Sequence, residues 1–167
     1  SSTREFVERA IRLKEVLTPY GVPLIINDRV DVALAANADG VHVGQSDMPY
    51  EMVKRLLPEG KIIGLSVESP EQVLEANNYD LDYVAASPVF STTTKTNTIV
   101  EWGLDGLRWI RSVSRHPLVA IGGIHSNNVA SICKAGADSV AVISAIVSAD
   151  DPERAARELL EKSGEPH

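Results

Sequence analysis

The residues best suited to chemistry in this sequence follow runs of apolar residues. The segment SPVFSTTTKTN, residues 87–97, comes directly after the apolar run YVAA. It brings together side chains that can donate hydrogen bonds: Thr92, Thr93, Thr94 and Lys95. Hydroxyl groups and an ammonium group suit a bound anion, and the lysine charge can stabilise a departing pyrophosphate oxygen. A solvated polar loop is the alternative interpretation of this segment.

Two aspartates also follow apolar runs. Asp28 comes after Asn27 at the end of VPLIIN, and Asp47 comes shortly after GVHV. Two carboxylates at adjacent strand ends can share a divalent cation with phosphate oxygens, as in many Mg²⁺ sites. Either aspartate could instead cap the helix that follows it. The sequence leaves both interpretations open.

A third group of small residues ends the last two apolar runs. Gly122 and Gly123 lie in the motif AIGGI, and Ser144 lies in AVISAI. Glycines let backbone N–H groups approach an anion, and a helix N-terminus favours its charge. In barrels of alternating strands and helices, the loops after the last two strands often hold a phosphate. A tight turn for the glycines and an N-cap for Ser144 are the alternatives.

The histidines and the single cysteine are weaker candidates. We interpret His42 as a packed core histidine and His125 as part of a surface loop, while His116 precedes its strand at the end that usually serves stability. Cys133 is predicted to be a buried, reduced thiol, which fits a cytoplasmic protein.

These residues need a scaffold of alternating strands and helices. Six short apolar runs, each followed by a helical pattern, predict the strands: VPLII, DGVHV, KIIGLSV, LDYVAAS, PLVAIGG and SVAVISA. Continuous apolar runs are typical of a parallel sheet covered by helices, in which ligands bind at the carboxyl ends of the strands. The fold class is therefore α/β, either an open doubly wound sheet or a TIM (β/α)₈ barrel. No G-x-G-x-x-G follows the first strand, which disfavours the dinucleotide-binding alternative.

The length and charge of the chain indicate which kinds of partner it can bind. The chain has 167 residues, a net charge of −7 and a pI near 5.1. This length predicts a single domain over residues 1–167. The acidic balance argues against nucleic acid and anionic membrane surfaces, and no apolar run reaches the roughly 18 residues of a membrane span. We expect a cytoplasmic protein acting on small molecules, with homo-oligomerisation left open.

Four motifs, in this order and at these intervals, resemble the thiamine-phosphate synthase family: IINDRVDVALAANADGVHVGQSD, SPVFSTTTK, AIGGI and AVISAI. The resemblance runs the full length of the chain. It implies a TIM (β/α)₈ barrel that couples 4-amino-2-methyl-5-pyrimidinylmethyl pyrophosphate with thiazole phosphate, using Mg²⁺, to give thiamine phosphate and pyrophosphate. It also implies a dissociative mechanism, in which pyrophosphate leaves before the thiazole nitrogen captures the pyrimidine methyl cation.

The resemblance assigns roles to individual residues. Asp28 and Asp47 would be the Mg²⁺ ligands. The residues implied to contact the pyrimidine pyrophosphate are Asn27, Ser66 and Lys95, of which Ser66 and Lys95 are also the catalytic candidates. The residues implied to hold the thiazole phosphate are Thr92, Thr93, Thr94, Gly123, Ile143 and Ser144.

The sequence departs from the family pattern in three places. The family has a Gln-x-Arg-x-Lys cluster at the end of its second strand, whereas this sequence begins at the helix after that strand. We therefore expect the first two strands and the first helix of the barrel to be absent, which agrees with the six strands counted. Glu68 stands where the family usually has histidine, and Ser87 stands where it usually has glycine.

Three other functions compete with the synthase. A thiazole tautomerase is a related barrel with histidine at the position of Glu68, but it lacks the Asn27–Asp28 pair and the threonine-rich motif. Another phosphate-handling barrel would leave the paired aspartates unexplained. A non-catalytic phosphate-ligand-binding barrel would bind thiazole phosphate without turnover. The combination of Asn27–Asp28 with Thr94–Lys95 favours the synthase.

Overall fold

A computed structural model describes residues 2–91 and 101–164 of the chain. The chain divides into two compact units. The first comprises Ser1–Ser66 and Tyr79–Asp82, and the second comprises Val67–Asn78 and Tyr83–His167. Each unit is an α/β structure in which parallel strands alternate with helices. The sequence-based prediction of one domain stays a prediction.

The first unit contains three parallel strands, and the last residue of the third strand falls in the second unit. Its elements in chain order are α1 (Thr3–Leu17), a 3₁₀ turn (Thr18–Tyr20), β1 (Ile25–Asn27), α2 (Val30–Ala35), β2 (Gly40–Val43), α3 (Tyr50–Leu56) and β3 (Ile62–Val67). Strand β2 is buried along its whole length, and Val32 of α2 and Val53 of α3 are fully buried. Helix α1 begins with a capping box, in which Ser2 and Glu5 exchange side-chain-to-backbone hydrogen bonds.

The second unit repeats this pattern. Its elements are α4 (Pro70–Ala76), β4 (Tyr83–Ala86), α5 (Gly103–Val113), β5 (Leu118–Ile121), α6 (Val129–Lys134), β6 (Ser139–Ala141), α7 (Ser144–Val147) and α8 (Pro152–Ser163). Strand β5 pairs in parallel with both β4 and β6. Apolar side chains of the helices and of β5 form the core, and the largest fully buried ones are Leu107, Ile110, Leu118 and Ile132.

The prediction of six strands separated by helices is confirmed over the described residues. The last predicted strand was too long, because β6 ends at Ala141 and the helix α7 begins at Ser144. The partner strand explains this difference. Ile121, the last residue of β5, pairs with Ala141, and Gly122 then turns away with a φ of 100°. Within the described residues the ladder between β5 and β6 therefore ends at Ile121 and Ala141.

Three aspartates form hydrogen bonds at the amino ends of β1, β3 and β5. Each precedes a strand and accepts a hydrogen bond from the backbone N–H at the start of the preceding strand. The three pairs are Asp39 with Leu24, Asp82 with Ile63, and Asp138 with Leu118, each at 2.8 Å. A carboxylate that accepts a backbone N–H bond satisfies a donor that the ladder leaves open. We infer that these contacts serve stability, because ligands bind at the opposite ends of such strands.

Replacing Asp39 with alanine is expected to lower the free energy of unfolding by about 1 kcal/mol at pH 7, because Asp39 is partly exposed. The hydrogen bond from Leu24 N–H and the nearby Lys14 ammonium lower the pKa of Asp39. A lowered folded-state pKa means that the stabilisation is present above the unfolded pKa and is lost as pH falls through the folded value. Urea unfolding at pH 7 and near pH 3 should therefore show a difference that shrinks in acid.

Asp105→Ala serves as the control for this prediction. Asp105 is 98% exposed and forms an ion pair with Arg108 of the same helix, so its replacement should change stability by a few tenths of a kcal/mol. Equal losses in the two variants, or a difference for Asp39→Ala that grows in acid, would contradict the role given to Asp39.

None of the helices within the described residues has the length and apolar character needed to cross a membrane.

Candidate active site

The carboxyl end of β1 presents two polar residues to solvent. Asn27 is the last residue of β1 and pairs with His42 of β2, and Asp28 follows it with a φ of 63°. Aspartate is among the few residues that adopt this left-handed conformation readily. The Asp28 N–H donates to the carbonyl oxygen of His42 at 2.8 Å. The backbone that carries the Asp28 carboxylate is therefore fixed to the neighbouring strand.

The carboxyl end of β2 leads into a turn closed by Asp47. The Gly44 N–H donates to Asp47 Oδ2 at 2.7 Å, and the Asp47 N–H donates to the Gly44 carbonyl at 3.2 Å. The Asp47 side chain is half-buried. One of its oxygens is thus held by the backbone, which orients the carboxylate.

Neither aspartate caps the helix that follows it. The N-cap residues are Arg29 for α2 and Pro49 for α3, and neither helix has a side-chain cap hydrogen bond. The helix-cap interpretation of Asp28 and Asp47 is therefore wrong. The role of these carboxylates as metal ligands stays a prediction.

Ser66 lies near the carboxyl end of β3 and is 5% exposed. Its Oγ is 2.9 Å from His42 Nε2, and its carbonyl accepts from Gln45 Nε2 at 2.6 Å. The prediction that His42 is buried is confirmed, since the residue is 9% exposed. Its contact with Ser66 was missed. The register could have indicated it, because His42 pairs with Gly64 and Ser66 shares the face of Gly64.

The first unit thus supplies an amide, two carboxylates and a hydroxyl at the carboxyl ends of its three strands. Carboxylate oxygens are the protein ligands that Mg²⁺ prefers, and Mg²⁺ commonly takes its other ligands from water and substrate phosphate. Within residues 2–91 and 101–164, no group of three or more His, Cys, Asp and Glu side chains is arranged to hold a metal ion. A pair of aspartates completed by substrate oxygens fits this donor set.

The glycine pair after β5 lies in close contact with the segment after β4. Gly122 has a φ of 100° and Gly123 a φ of 65°. A Cβ added to Gly122 would lie 2.8 Å from Pro88 Cβ, and one added to Gly123 would lie 2.7 Å from Phe90 Cβ. The Phe90 N–H also donates to the Gly122 carbonyl at 3.3 Å. Both conformation and space therefore require glycine here.

The segment between β4 and α5 is joined at its two ends. The Ser91 hydroxyl donates to the Glu101 carboxylate, and the Trp102 N–H donates to the Pro88 carbonyl at 3.0 Å. Thr92, Thr93, Thr94 and Lys95 lie between these ends, outside the described residues. Ser87, which replaces the usual glycine of the family, is 3% exposed. Ser91, the last described residue before these four, and Glu101, the first after them, therefore lie close together.

Ile143 and Ser144 lie at the start of the short helix α7. Ile143 is the N-cap residue and is 64% exposed, and Ser144 is the first helical residue. The interpretation of Ser144 as the N-cap is therefore wrong, because the chain already has helical dihedrals at Ser144. Both residues are accessible to a ligand, as the resemblance requires.

The prediction that His125 lies in a surface loop is confirmed. His125 is exposed in the loop after β5, Trp102 stacks on Trp109, and the backbone N–H of Glu68 donates to the side chain of Gln72. Cys133 is half-buried rather than buried, which corrects the prediction. The reason is a cavity between α6 and α8, whose lining includes Cys133.

The thiamine monophosphate synthase family matches residues 1–146 of this chain. The thiamine-phosphate synthase of Albidiferax ferrireducens is 52% identical over 158 residues, which cover 95% of this chain and 72% of that protein. The enzyme of the same name from Vibrio parahaemolyticus is 50% identical, over 94% of this chain and 77% of the relative. The chain therefore belongs to the thiamine monophosphate synthase family.

A solved structure agrees with this assignment. The thiamine phosphate pyrophosphorylase from Pyrococcus furiosus is 42% identical, with a TM-score of 0.90 over 98% of this chain and 78% of that one. This likeness confirms the prediction of a TIM-barrel α/β fold. Membership of the family also confirms the prediction that the protein is an enzyme, a transferase acting on small molecules in thiamine biosynthesis.

Proposed function

We propose that the protein couples 4-amino-2-methyl-5-pyrimidinylmethyl pyrophosphate with thiazole phosphate, giving thiamine phosphate and pyrophosphate. The observation that carries this proposal is the identity of 52% to a thiamine-phosphate synthase over 95% of the chain. The strand ends agree with it, because they present hydrogen-bond donors suited to phosphates and carboxylates suited to the Mg²⁺ that would accompany the pyrophosphate. A reaction in which pyrophosphate departs first needs charge stabilisation and a positioned nucleophile rather than a strong base.

The first unit would bind the pyrimidine pyrophosphate. Asp28 and Asp47 would hold Mg²⁺, which would neutralise charge on the leaving pyrophosphate. Asn27, at the exposed end of β1, would donate its side-chain amide to the same substrate. The Ser66 hydroxyl, held against His42 Nε2, would donate to a substrate oxygen from a fixed position.

The second unit would bind the thiazole phosphate. Backbone N–H groups at Gly123 and at the start of α7 would donate to the phosphate, with Ile143 and Ser144 beside it. Thr92, Thr93 and Thr94 would complete this site, and Lys95 would reach the pyrophosphate. These four assignments rest on the resemblance of the SPVFSTTTK motif, because the residues lie outside the described part of the chain.

A product assay separates this function from its competitors. The protein is incubated with both substrates and Mg²⁺, and each component is omitted in turn. The synthase requires both substrates and forms thiamine phosphate. A tautomerase would instead isomerise a thiazole phosphate without the pyrimidine substrate, and a binding protein would retain thiazole phosphate without turnover. Either of those results would overturn the proposal.

Lys95→Ala is expected to slow the chemical step much more than it weakens thiazole phosphate binding. The reason is that an ammonium group contributes most as negative charge develops on the leaving pyrophosphate. We expect kcat to fall by about 100-fold while the Kd for thiazole phosphate stays within a factor of about two. Single-turnover kinetics and calorimetry measure the two quantities. Equal losses in both would count against this role.

A further inference from the structure

Asn128 connects the glycine pair to the start of α6. It is the N-cap residue of α6, but its side chain makes no cap hydrogen bond. Instead, Asn128 Nδ2 donates to the Gly123 carbonyl at 2.8 Å, and Asn128 Oδ1 accepts from the His125 N–H at 2.9 Å. The amide orientation is unambiguous, because a carbonyl can only accept and a backbone N–H can only donate. The side chain therefore closes the loop between Gly123 and α6.

This contact fixes the direction of a backbone donor. A trans peptide is planar, and its C=O and N–H groups point in opposite directions. By holding the Gly123 carbonyl, Asn128 sets the peptide plane that carries the Ile124 N–H. The peptide before it is fixed in the same way, because the Phe90 N–H donates to the Gly122 carbonyl at 3.3 Å. The consecutive N–H groups of Gly123 and Ile124 are therefore both held in a fixed direction, because the carbonyl group of each peptide is hydrogen-bonded.

Consecutive N–H groups around left-handed residues form a concave binding site for anions. Gly122 and Gly123 have φ values of 100° and 65°. Among residues 2–91 and 101–164, neither the Gly123 N–H nor the Ile124 N–H has a hydrogen-bond acceptor. Two flexible glycines would lose considerable conformational freedom on binding unless another contact already ordered them.

We infer that Asn128 is a positioning residue of the thiazole phosphate site, which orders the Gly123–Ile124 peptide so that its N–H meets the phosphate. The inference rests on the proposed function, because it assigns the occupant of this loop as thiazole phosphate. Asn128 does not touch the ligand in this account. It acts through the Gly123 carbonyl.

The adjacent asparagine provides a matched control. Asn127 is exposed, and its hydrogen bond to His125 Nδ1 comes from its backbone N–H rather than its side chain. Asn128→Asp keeps an oxygen for the His125 N–H but loses the donor to Gly123. Asn127→Asp adds the same negative charge one residue away and leaves the contact intact. Both variants add one negative charge to this loop, so a difference between them reports the replacement of the donor to the Gly123 carbonyl rather than the added net charge.

The experiment measures binding and kinetics in the full chain. For Asn128→Asp we expect the Kd and KM for thiazole phosphate to rise about ten-fold, which corresponds to one hydrogen bond to a charged group. Asn127→Asp should change them less than about two-fold. The KM for the pyrimidine pyrophosphate and the kcat at saturation should stay within about two-fold in both variants. Equal rises in the two variants, or an equal rise for both substrates, would overturn the inference.

The wild-type protein gives an independent test if Asn128→Asp does not fold. Thiazole phosphate is added to labelled protein, and the amide resonances of Gly123 and Ile124 are followed by NMR. We expect both to shift while the side-chain amide of Asn128 keeps its resonance. If the protein binds thiazole phosphate but the Ile124 amide resonance does not shift, the inference is overturned and the proposed function is not. If the wild-type protein binds no thiazole phosphate, the proposed function fails and the inference fails with it.

Discussion

Asp28→Asn is expected to lower kcat/KM for the pyrimidine pyrophosphate by about 100-fold or more. Asparagine adopts left-handed dihedrals as readily as aspartate does, so the φ of 63° is kept and the hydrogen bond from residue 28 N–H to the His42 carbonyl is retained. The substitution removes the negative charge and, with it, the oxygen ligand that Asp28 is proposed to give Mg²⁺. The loss should therefore appear in catalysis and metal dependence, with little change in stability.

Asp31→Asn is the matched control for this substitution. Asp31 lies three residues further along, and the Arg29 guanidinium lowers its pKa to about 2. Its side chain is 60% exposed, so replacing it should cost little stability and leave activity within about two-fold. Initial rates at several Mg²⁺ concentrations compare the variants. A similar loss of activity in both variants, or full activity of Asp28→Asn at every Mg²⁺ concentration, would contradict the proposal that Asp28 binds the metal.

Gly123→Ala is expected to weaken thiazole phosphate binding by about 100-fold, because it displaces the loop that carries the backbone donors. The added Cβ would lie 2.7 Å from Phe90 Cβ and 3.0 Å from the Ser91 carbonyl. A contact this short forces the loop or the segment after β4 to move. Alanine at a φ of 65° adds strain of about 1–2 kcal/mol. The variant should thus lose both affinity and stability.

Gly21→Ala separates these two effects. Gly21 has nearly the same φ, 66°, but a Cβ there meets nothing within 4 Å. It should lose about 1–2 kcal/mol of stability from strain alone and bind thiazole phosphate normally. Calorimetry gives the binding constants, and urea unfolding gives the stabilities. Normal binding by Gly123→Ala, or a stability loss no larger than that of Gly21→Ala, would contradict the expected effect of the short contact between residue 123 and Phe90.

The order of the helices and strands, and the residues that follow each strand, could be predicted from the sequence. Short apolar runs bounded by glycine, proline and aspartate predict buried parallel strands, and all six are present in the described residues. The length of β6 was predicted wrongly, because it depends on where the partner strand β5 ends. That point is set by the backbone conformation of Gly122, which is distant in sequence from β6.

The roles of individual polar residues were harder to predict. A helix-cap role for Asp28, Asp47 or Ser144 depends on which residue adopts the N-cap dihedrals, and neighbouring residues did so in every case. Asn128 was missed because its side chain turns back across a loop to Gly123. Such a contact depends on the loop conformation and has no sequence period. The site residues that could be proposed from sequence were those fixed by their place at a strand end.

A single reaction in which thiamine phosphate and pyrophosphate are followed together tests whether the protein couples its two substrates with the help of Mg²⁺. The protein is supplied with both substrates, Mg²⁺ is removed with a chelator, and Mg²⁺ is then restored. The account predicts that both products form in equal amounts, that chelation stops both, and that added Mg²⁺ restores both. Release of pyrophosphate without thiamine phosphate, or an absence of either product while both substrates bind, would contradict it.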